Sequence, residues 1–321
     1  MKRREFITLL GSAVAWPIAV LAQRTRMPVI GILGIGPRPV FVDEFRQGLA
    51  DAGYVPGQNV TIEFRWADNP LPFPRHAAEL ANRNVNVIVT TGSPYAAIAA
   101  KRATSTIPIV FGLSEDPLKY GLVASLSRPG GNVTGVTFLS TELAGKRLGL
   151  LLELIPEATT IAYLSIPDAP VAEDLKRDML AAARTLRREI VVAPVRGLDF
   201  DAAFRTLIEQ RASVLIVGSF STFQRSSEKI VELAARHKIP AMYPQREYVA
   251  EGGLMSYGAA DAGPRLIARD YVGQILKGAK PTDLPVRQPT QFALVINLKA
   301  AKALGLTIPP TVLAAATELI E

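Results

Sequence analysis

Past residue 26 the chain alternates short apolar, β-branched runs with longer stretches of helical periodicity. Val29-Ile30-Gly31-Ile32-Leu33 is apolar throughout, the pattern of a strand covered on both faces. A helical stretch over residues 40–52 follows and stops at Gly53, a residue suited to a helix C-cap. Strands are predicted at 60–66, 85–91 and 107–111, with helices at 76–84 and 93–104 between them. The second half repeats the scheme. Strands at 161–165, 190–195, 214–217, 241–243 and 253–257 are separated by helices at 172–187, 200–210 and 224–237. Strands alternating with helices predict parallel sheets covered by helices.

Two segments match more closely than the general plan requires. Val87-Ile88-Val89-Thr90-Thr91-Gly92-Ser93 precedes a helix and then Ile107-Pro108-Ile109-Val110. Val214-Leu215-Ile216-Val217-Gly218-Ser219 precedes a helix and then Ile239-Pro240-Ala241-Met242. Each is a strand, a Gly-Ser turn, a helix and an Ile-Pro entry into the next strand. The match predicts an α/β chain of two Rossmann-like lobes, although any two β-α-β units share some of this pattern. A length of 321 residues suits two such units. The expected division is 27–140 plus about 262–280 for the first lobe, and 141–261 plus about 281–321 for the second. Connections are expected near 137–144 and near Asp261.

The first 22 residues stand apart. Lys2, Arg3 and Arg4 open a segment whose apolar stretch from Phe6 to Trp16 ends in Val20-Leu21-Ala22, a small-residue cleavage pattern. Gly11, Ser12 and Pro17 interrupt it, so it is short for a membrane span. Residues 1–22 therefore read as a signal peptide, and Arg3-Arg4-Glu5-Phe6-Ile7 looks like a twin-arginine signal. The expected product is exported and soluble. Its removal lowers the formal charge from +7 to +5. Basic residues are interleaved with acids, as in Glu173-Asp174-Leu175-Lys176-Arg177-Asp178, and no basic run carries the aromatics of a nucleic-acid surface. No nucleic-acid partner is expected.

Composition also narrows the chemistry. There is no cysteine, which excludes disulfides, thiolate nucleophiles and Cys-ligated metals, and the only histidines are His76 and His237. His76 follows Pro70, Pro72 and Pro74 in a polar helix, and His237 ends a helix, where the dipole favours a cation. Gly31-Ile32-Leu33-Gly34-Ile35-Gly36 is not a dinucleotide fingerprint, and Pro37 and Pro39 interrupt the helix start it would need. The chain has no nucleophile elbow, P-loop or zincin motif. No cofactor, metal or catalytic residue is expected.

Ligands of open parallel sheets bind beyond the carboxyl ends of the strands. That rule points to 34–38, 90–95, 112–116, 165–168, 218–223 and 243–248. Thr91 and Ser93 suit a carboxylate, or else cap the following helix. Asp116 and Asp261 are caps in one reading and carboxylates facing a cationic ligand group in the other.

A longer set of motifs carries a family resemblance. Pro108-Ile109-Val110-Phe111, Asp116-Pro117 and Gly121-Leu122-Val123-Ala124-Ser125-Leu126 lead into Arg128-Pro129-Gly130-Gly131-Asn132-Val133-Thr134-Gly135-Val136. Gly252-Gly253-Leu254-Met255-Ser256-Tyr257-Gly258 and Ala303-Leu304-Gly305-Leu306-Thr307-Ile308-Pro309 continue the match. The chain resembles the substrate-binding proteins of ABC transporters, in the group with tryptophan- and tyrosine-type binders. The resemblance implies a type I periplasmic binding protein fold whose lobes close on a ligand by hinge motion. It implies a periplasmic, monomeric receptor, not an enzyme, that serves an inner-membrane ABC permease. The alternatives are a sensory ligand-binding subunit and an oxidoreductase-like enzyme on a Rossmann-type fold. The implied ligand is an amino acid or related small molecule, aromatic in some members. Thr91 and Ser93 would hold its carboxylate, and Asp261 or Asp116 its ammonium. Tyr95, Phe220 and Tyr243 would wall an aromatic group, or else pack internally.

Overall fold

The computed structural model describes residues 27–36, 39–138, 143–167, 169, 172–260 and 263–321. The proposed signal peptide and Asp261 lie outside the described residues. The first lobe opens β1 (Val29–Ile35), α1 (Pro39–Asp51), β2 (Thr61–Ala67), α2 (Phe73–Asn82), β3 (Val87–Thr91), α3 (Pro94–Ala103), β4 (Ile109–Leu113) and β5 (Val133–Thr137). Its five strands are all parallel in the order β2-β1-β3-β4-β5.

The second lobe begins at α4 (Ala144–Leu154) and continues through β6 (Thr160–Ser165), α5 (Ala172–Thr185), β7 (Glu189–Pro194), α6 (Phe200–Glu209) and β8 (Val214–Val217). Then come α7 (Ser221–Gln224), α8 (Ser227–Arg236), β9 (Ala241–Tyr243), α9 (Arg246–Ala250) and β10 (Met255–Ala259). Strands β7-β6-β8-β9-β10 repeat the order of the first lobe. The two segments paired by sequence, β3-α3-β4 and β8 to β9, occupy the same third-to-fourth place in their sheets.

The chain then returns to the first lobe as α10 (Pro264–Leu266), a π-helical stretch over Ile267–Val272, and α11 (Gly273–Leu276). Ile267, Ala268, Tyr271, Val272 and Ile275 bury themselves against Ile30, Ile32, Val89 and Val110, closing one face of the five-stranded sheet. The opposite face is covered by α2 and α3 through Leu80, Ala96, Ala97 and Ala100. Close approach of α1 is set by glycine, because a Cβ on its Gly48 would lie 2.2 Å from the Arg265 carbonyl oxygen.

Residues 281–287, expected in the second lobe, pack on the first. Val286 N donates to Leu126 O at 2.7 Å, Arg287 N to Gly135 O at 3.1 Å, and Thr137 N to Arg287 O at 3.0 Å. The backbone of this segment thus supplies partners that the edge of β5 would otherwise lack, and Val286 is buried in the core beneath α3. The chain passes back to the second lobe after Arg287. There β11 (Phe292–Asn297) pairs antiparallel with β10, and α12 (Leu298–Ala303), α13 (Pro310–Ala315) and β12 (Glu318–Ile320) complete the seven-stranded sheet. The lobes are therefore joined by three passages, at 138–144, 259–263 and 287–292. No described helix is long and apolar enough to cross a membrane.

Candidate functional site

The carboxyl ends of the parallel strands of both sheets face one cleft. A cavity of about 320 Å³ opens there, lined by residues that follow β1 to β5 on one side and β6 to β9 on the other. It adjoins a larger chamber of about 920 Å³ beside α1, α9 and α10, and the two share Thr91, Phe138, Gln224 and Gln245. The smaller cavity lies near the lower end of the roughly 300–1,000 Å³ typical of small-molecule sites.

Thr91 ends β3, is 4% exposed and lines both spaces. A Cβ on the facing Gly34 would lie 2.5 Å from the Thr91 carbonyl oxygen, so glycine there lets β1 and β3 close up beside the cavity. Ser93 is the N-cap of α3, with extended backbone and Pro94 as the first helical residue. Its Oγ accepts from Tyr95 N at 3.2 Å, and it too lines the cavity.

Tyr95 forms part of the wall and meets Tyr120 edge-to-face at 6.2 Å. Tyr120 packs against the cores of both lobes, bridging the cleft. The Lys101 ammonium, on the last turn of α3, fixes the segment that carries Tyr120 by donating to Gly121 O (2.7 Å) and Leu122 O (3.2 Å). A second bridge joins Arg225 Nη1 to Asp68 Oδ1 at 3.5 Å.

Phe220 lines the cavity from the second lobe, held edge-to-face on buried Phe223 at 5.1 Å. Tyr243 does not. It is 1% exposed and stacks on Tyr248 at 5.0 Å inside the second lobe, because β9 lies between β8 and β10 and its last side chain turns under the sheet. Gln245, two residues on, reaches the cavity instead. Burial raises the Tyr243 phenol well above its usual range.

Asp116 also stands apart from the cavity lining. Its Oδ1 accepts from Leu118 N at 2.9 Å, closing the turn into Pro117. The neighbouring Glu115 lines the cavity, with Oε2 accepting from Ser114 N at 3.1 Å. Burial in the cleft outweighs these backbone donors and pushes its carboxyl up to about 7. Among the described lining residues of this cavity none is basic.

The rim of the second lobe rests on Arg147 of α4, which is 3% exposed. Its guanidinium donates to Tyr257 O (2.8 Å), Ser219 Oγ (3.1 Å) and Pro244 O (3.4 Å), tying together the segments after β8, β9 and the middle of β10. Burial pulls its pKa down to about 10. Sequence reasoning passed over Glu115, Asp68, Phe138, Arg147, Ser219, Gln224 and Gln245. The strand-end rule covered Glu115, Ser219 and Gln245 as positions, but it does not say which of adjacent residues faces the ligand.

A family model described as ABC transporter substrate binding protein matches residues 35–320. A curated tyrosine-binding protein of Clostridioides difficile is 28% identical over 268 residues, 82% of this chain and 75% of that protein. A solved conserved domain protein from Vibrio cholerae superposes with a TM-score of 0.80 at 30% identity, over 92% of this chain and 100% of the other. An ABC domain from Streptococcus pneumoniae, solved in complex with L-Trp, gives 0.77 at 25% identity, again over 92% and 100%. Solute-binding proteins at 14 to 16% identity share the fold alone.

Proposed function

Because the chain belongs to the ABC transporter substrate-binding protein family, with the type I periplasmic binding protein fold, we propose that it captures an amino acid between its lobes and delivers it to an inner-membrane permease. The observation that carries this reading is the cavity itself. Thr91, Ser93 and the start of α3 converge on it from one lobe, and Phe220 and Ser219 from the other. Hydroxyls beside a helix N-terminus suit the ligand carboxylate. Tyr95 and Phe220 offer an aromatic wall, in keeping with the tyrosine and tryptophan named for two relatives. Hinge motion at the three passages would open the cleft. Residues 1–22, with their twin-arginine-like start, would direct export to the periplasm, and the mature protein would act as a monomer.

The test is a thermal-shift screen of the purified protein against the amino acids, aromatic acids, amines, nucleosides and short peptides. A ligand at one hundred times its Kd stabilises by about 2.7 kcal/mol. A hit among amino acids without turnover is the expected result. Hits confined to nucleosides or peptides would overturn the ligand class, and product formation would overturn the receptor reading.

A further inference from the structure

Among the described residues, Glu115 is the carboxylate of the small cavity that no cation answers. Asp68, the other acid in the lining, faces Arg225 across the cleft. Glu115 has no ion-pair partner among the described residues, and its position is fixed independently of any ligand. Its own carbonyl accepts from Thr137 Oγ1 at 3.0 Å, and Ser114 N holds one carboxylate oxygen. The titratable groups around it add no positive charge. Tyr95 of α3 and Tyr120 bring phenols and no cation, Asp174 of α5 faces Tyr120 from the second lobe, and Arg225 is engaged by Asp68. A partly buried carboxylate in such surroundings takes up either a proton or a cationic ligand group.

We propose that Glu115 selects for a positively charged group on the ligand, the ammonium in the case of an amino acid, and that this group displaces a proton when it binds. The proposal rests on the cleft being the ligand site. It replaces Asp116, whose carboxylate is spent on its own turn, as the acid that meets the ammonium. The carboxyl, held near 7 by burial, is shared between protonated and charged forms in the empty site at neutral pH. A cation beside it would fix it as carboxylate through a charge-assisted hydrogen bond, at roughly 2.7–2.9 Å. The proton leaves to solvent.

Two measurements test this. Carboxyl ¹³C NMR of the unliganded protein, with Glu115→Gln to assign the signal, should show one glutamate titrating between pH 6 and 8. Calorimetry with L-tryptophan, L-tyrosine and the best amino acid of the screen, in phosphate and in Tris, should show release of about half a proton at pH 7. Affinity should be about 25-fold weaker at pH 5.5 than at 7.5. Glu115→Gln should bind at least tenfold more weakly at pH 7.5 and lose the pH dependence, while indole-3-propionate, which lacks the amine, should bind poorly to both proteins. Titration of Glu115 with the exposed carboxyls, a flat pH profile, or equal binding of the deaminated analogue would overturn the proposal. A cleft that takes only uncharged or anionic compounds overturns it and leaves the receptor reading standing. A chain that binds no compound of the screen, amines included, overturns both.

Discussion

Replacing Glu115 by Gln changes the stability of the empty protein in a way that depends on pH, and the sign follows from the structure. The carboxyl titrates at about 7 in the fold, against an ordinary 4.5. The folded state therefore holds a proton that the unfolded chain has already released between those values. Its stabilising contribution is complete below about 4.5 and is lost as pH rises through 7. A difference of that size corresponds to about 3 kcal/mol at full burial. Glu115 is only partly buried, so water access reduces this to ~1–2 kcal/mol. Gln has nearly the same shape and no charge. The variant should match the wild type at pH 5 and exceed it by ~1–2 kcal/mol at pH 8, or about 2–3 °C in Tm for a chain of this length. Trp66, stacked on Phe64 in the same lobe, reports the transition by fluorescence in urea. The other titratable groups are common to both proteins and cancel in the difference. A wild-type-to-variant difference that stays constant from pH 5 to 8 would show that the cleft does not hold this carboxyl in its neutral form.

Three further outcomes are expected. Ser93→Ala should cost about 1 kcal/mol in unfolding experiments through loss of the α3 cap, and weaken a carboxylate ligand at least fivefold by calorimetry. Asp116→Asn should leave affinity within twofold, and a tenfold loss there would return Asp116 to the site. Tyr120→Ala should raise the dissociation rate in stopped-flow measurements by about tenfold, a loss near 1.4 kcal/mol, with Tyr120→Phe close to wild type. An unchanged rate in the alanine variant would mean that the bridge between the cores plays no part in holding the lobes closed.

The strands were legible wherever a parallel, doubly covered strand wrote an unbroken apolar run, as in Val214–Val217, where reading and structure coincide. Val133–Thr137 was not read as a strand. It follows Gly130-Gly131 and carries Gly135 at φ +153°, where a Cβ would strike the Phe111 backbone, so its place comes from pairing with β4 and not from propensity. Phe292–Asn297 was missed as well, since its antiparallel pairing is set by the third passage between the lobes and not by a β-α-β rhythm. The expected helix over 224–237 is two helices, broken at Arg225 and Ser226, and Arg225 is the residue that reaches Asp68. At the site, the strand-end rule found the loops but not the side chains. Asp116 and Glu115 are adjacent acids on one turn, and only the turn's hydrogen bond to Leu118 decides which one is consumed by local structure. Tyr243 was misread for a related reason: a central strand buries its last ring, and an outer one would have offered it to the cleft.

The three passages between the lobes set an order on synthesis. Strands β6 to β10 and their helices form one continuous stretch, residues 144–259, so the second lobe has its five parallel strands together once those have left the ribosome. The first lobe is translated earlier but cannot close. One face of its sheet is covered early by α1 alone, through Phe41, Phe45 and Leu49, and is not closed until Ile267–Ile275 arrives, while the edge of β5 stays unpaired until Val286 and Arg287 follow. The second lobe in turn lacks β11, β12 and the core residues Leu294, Ile296, Ala301 and Val312 until residues 292–321 follow, so neither lobe is complete before the chain has passed between them three times. Until Ile267–Ile275 arrives, the part of the first lobe's face that Ile267, Ala268, Tyr271, Val272 and Ile275 will cover has no partner from that lobe's own strands and helices up to residue 137. A chaperone that shields nascent apolar surface has its target there, and a chain stopped short of residue 287 carries an unfinished first lobe.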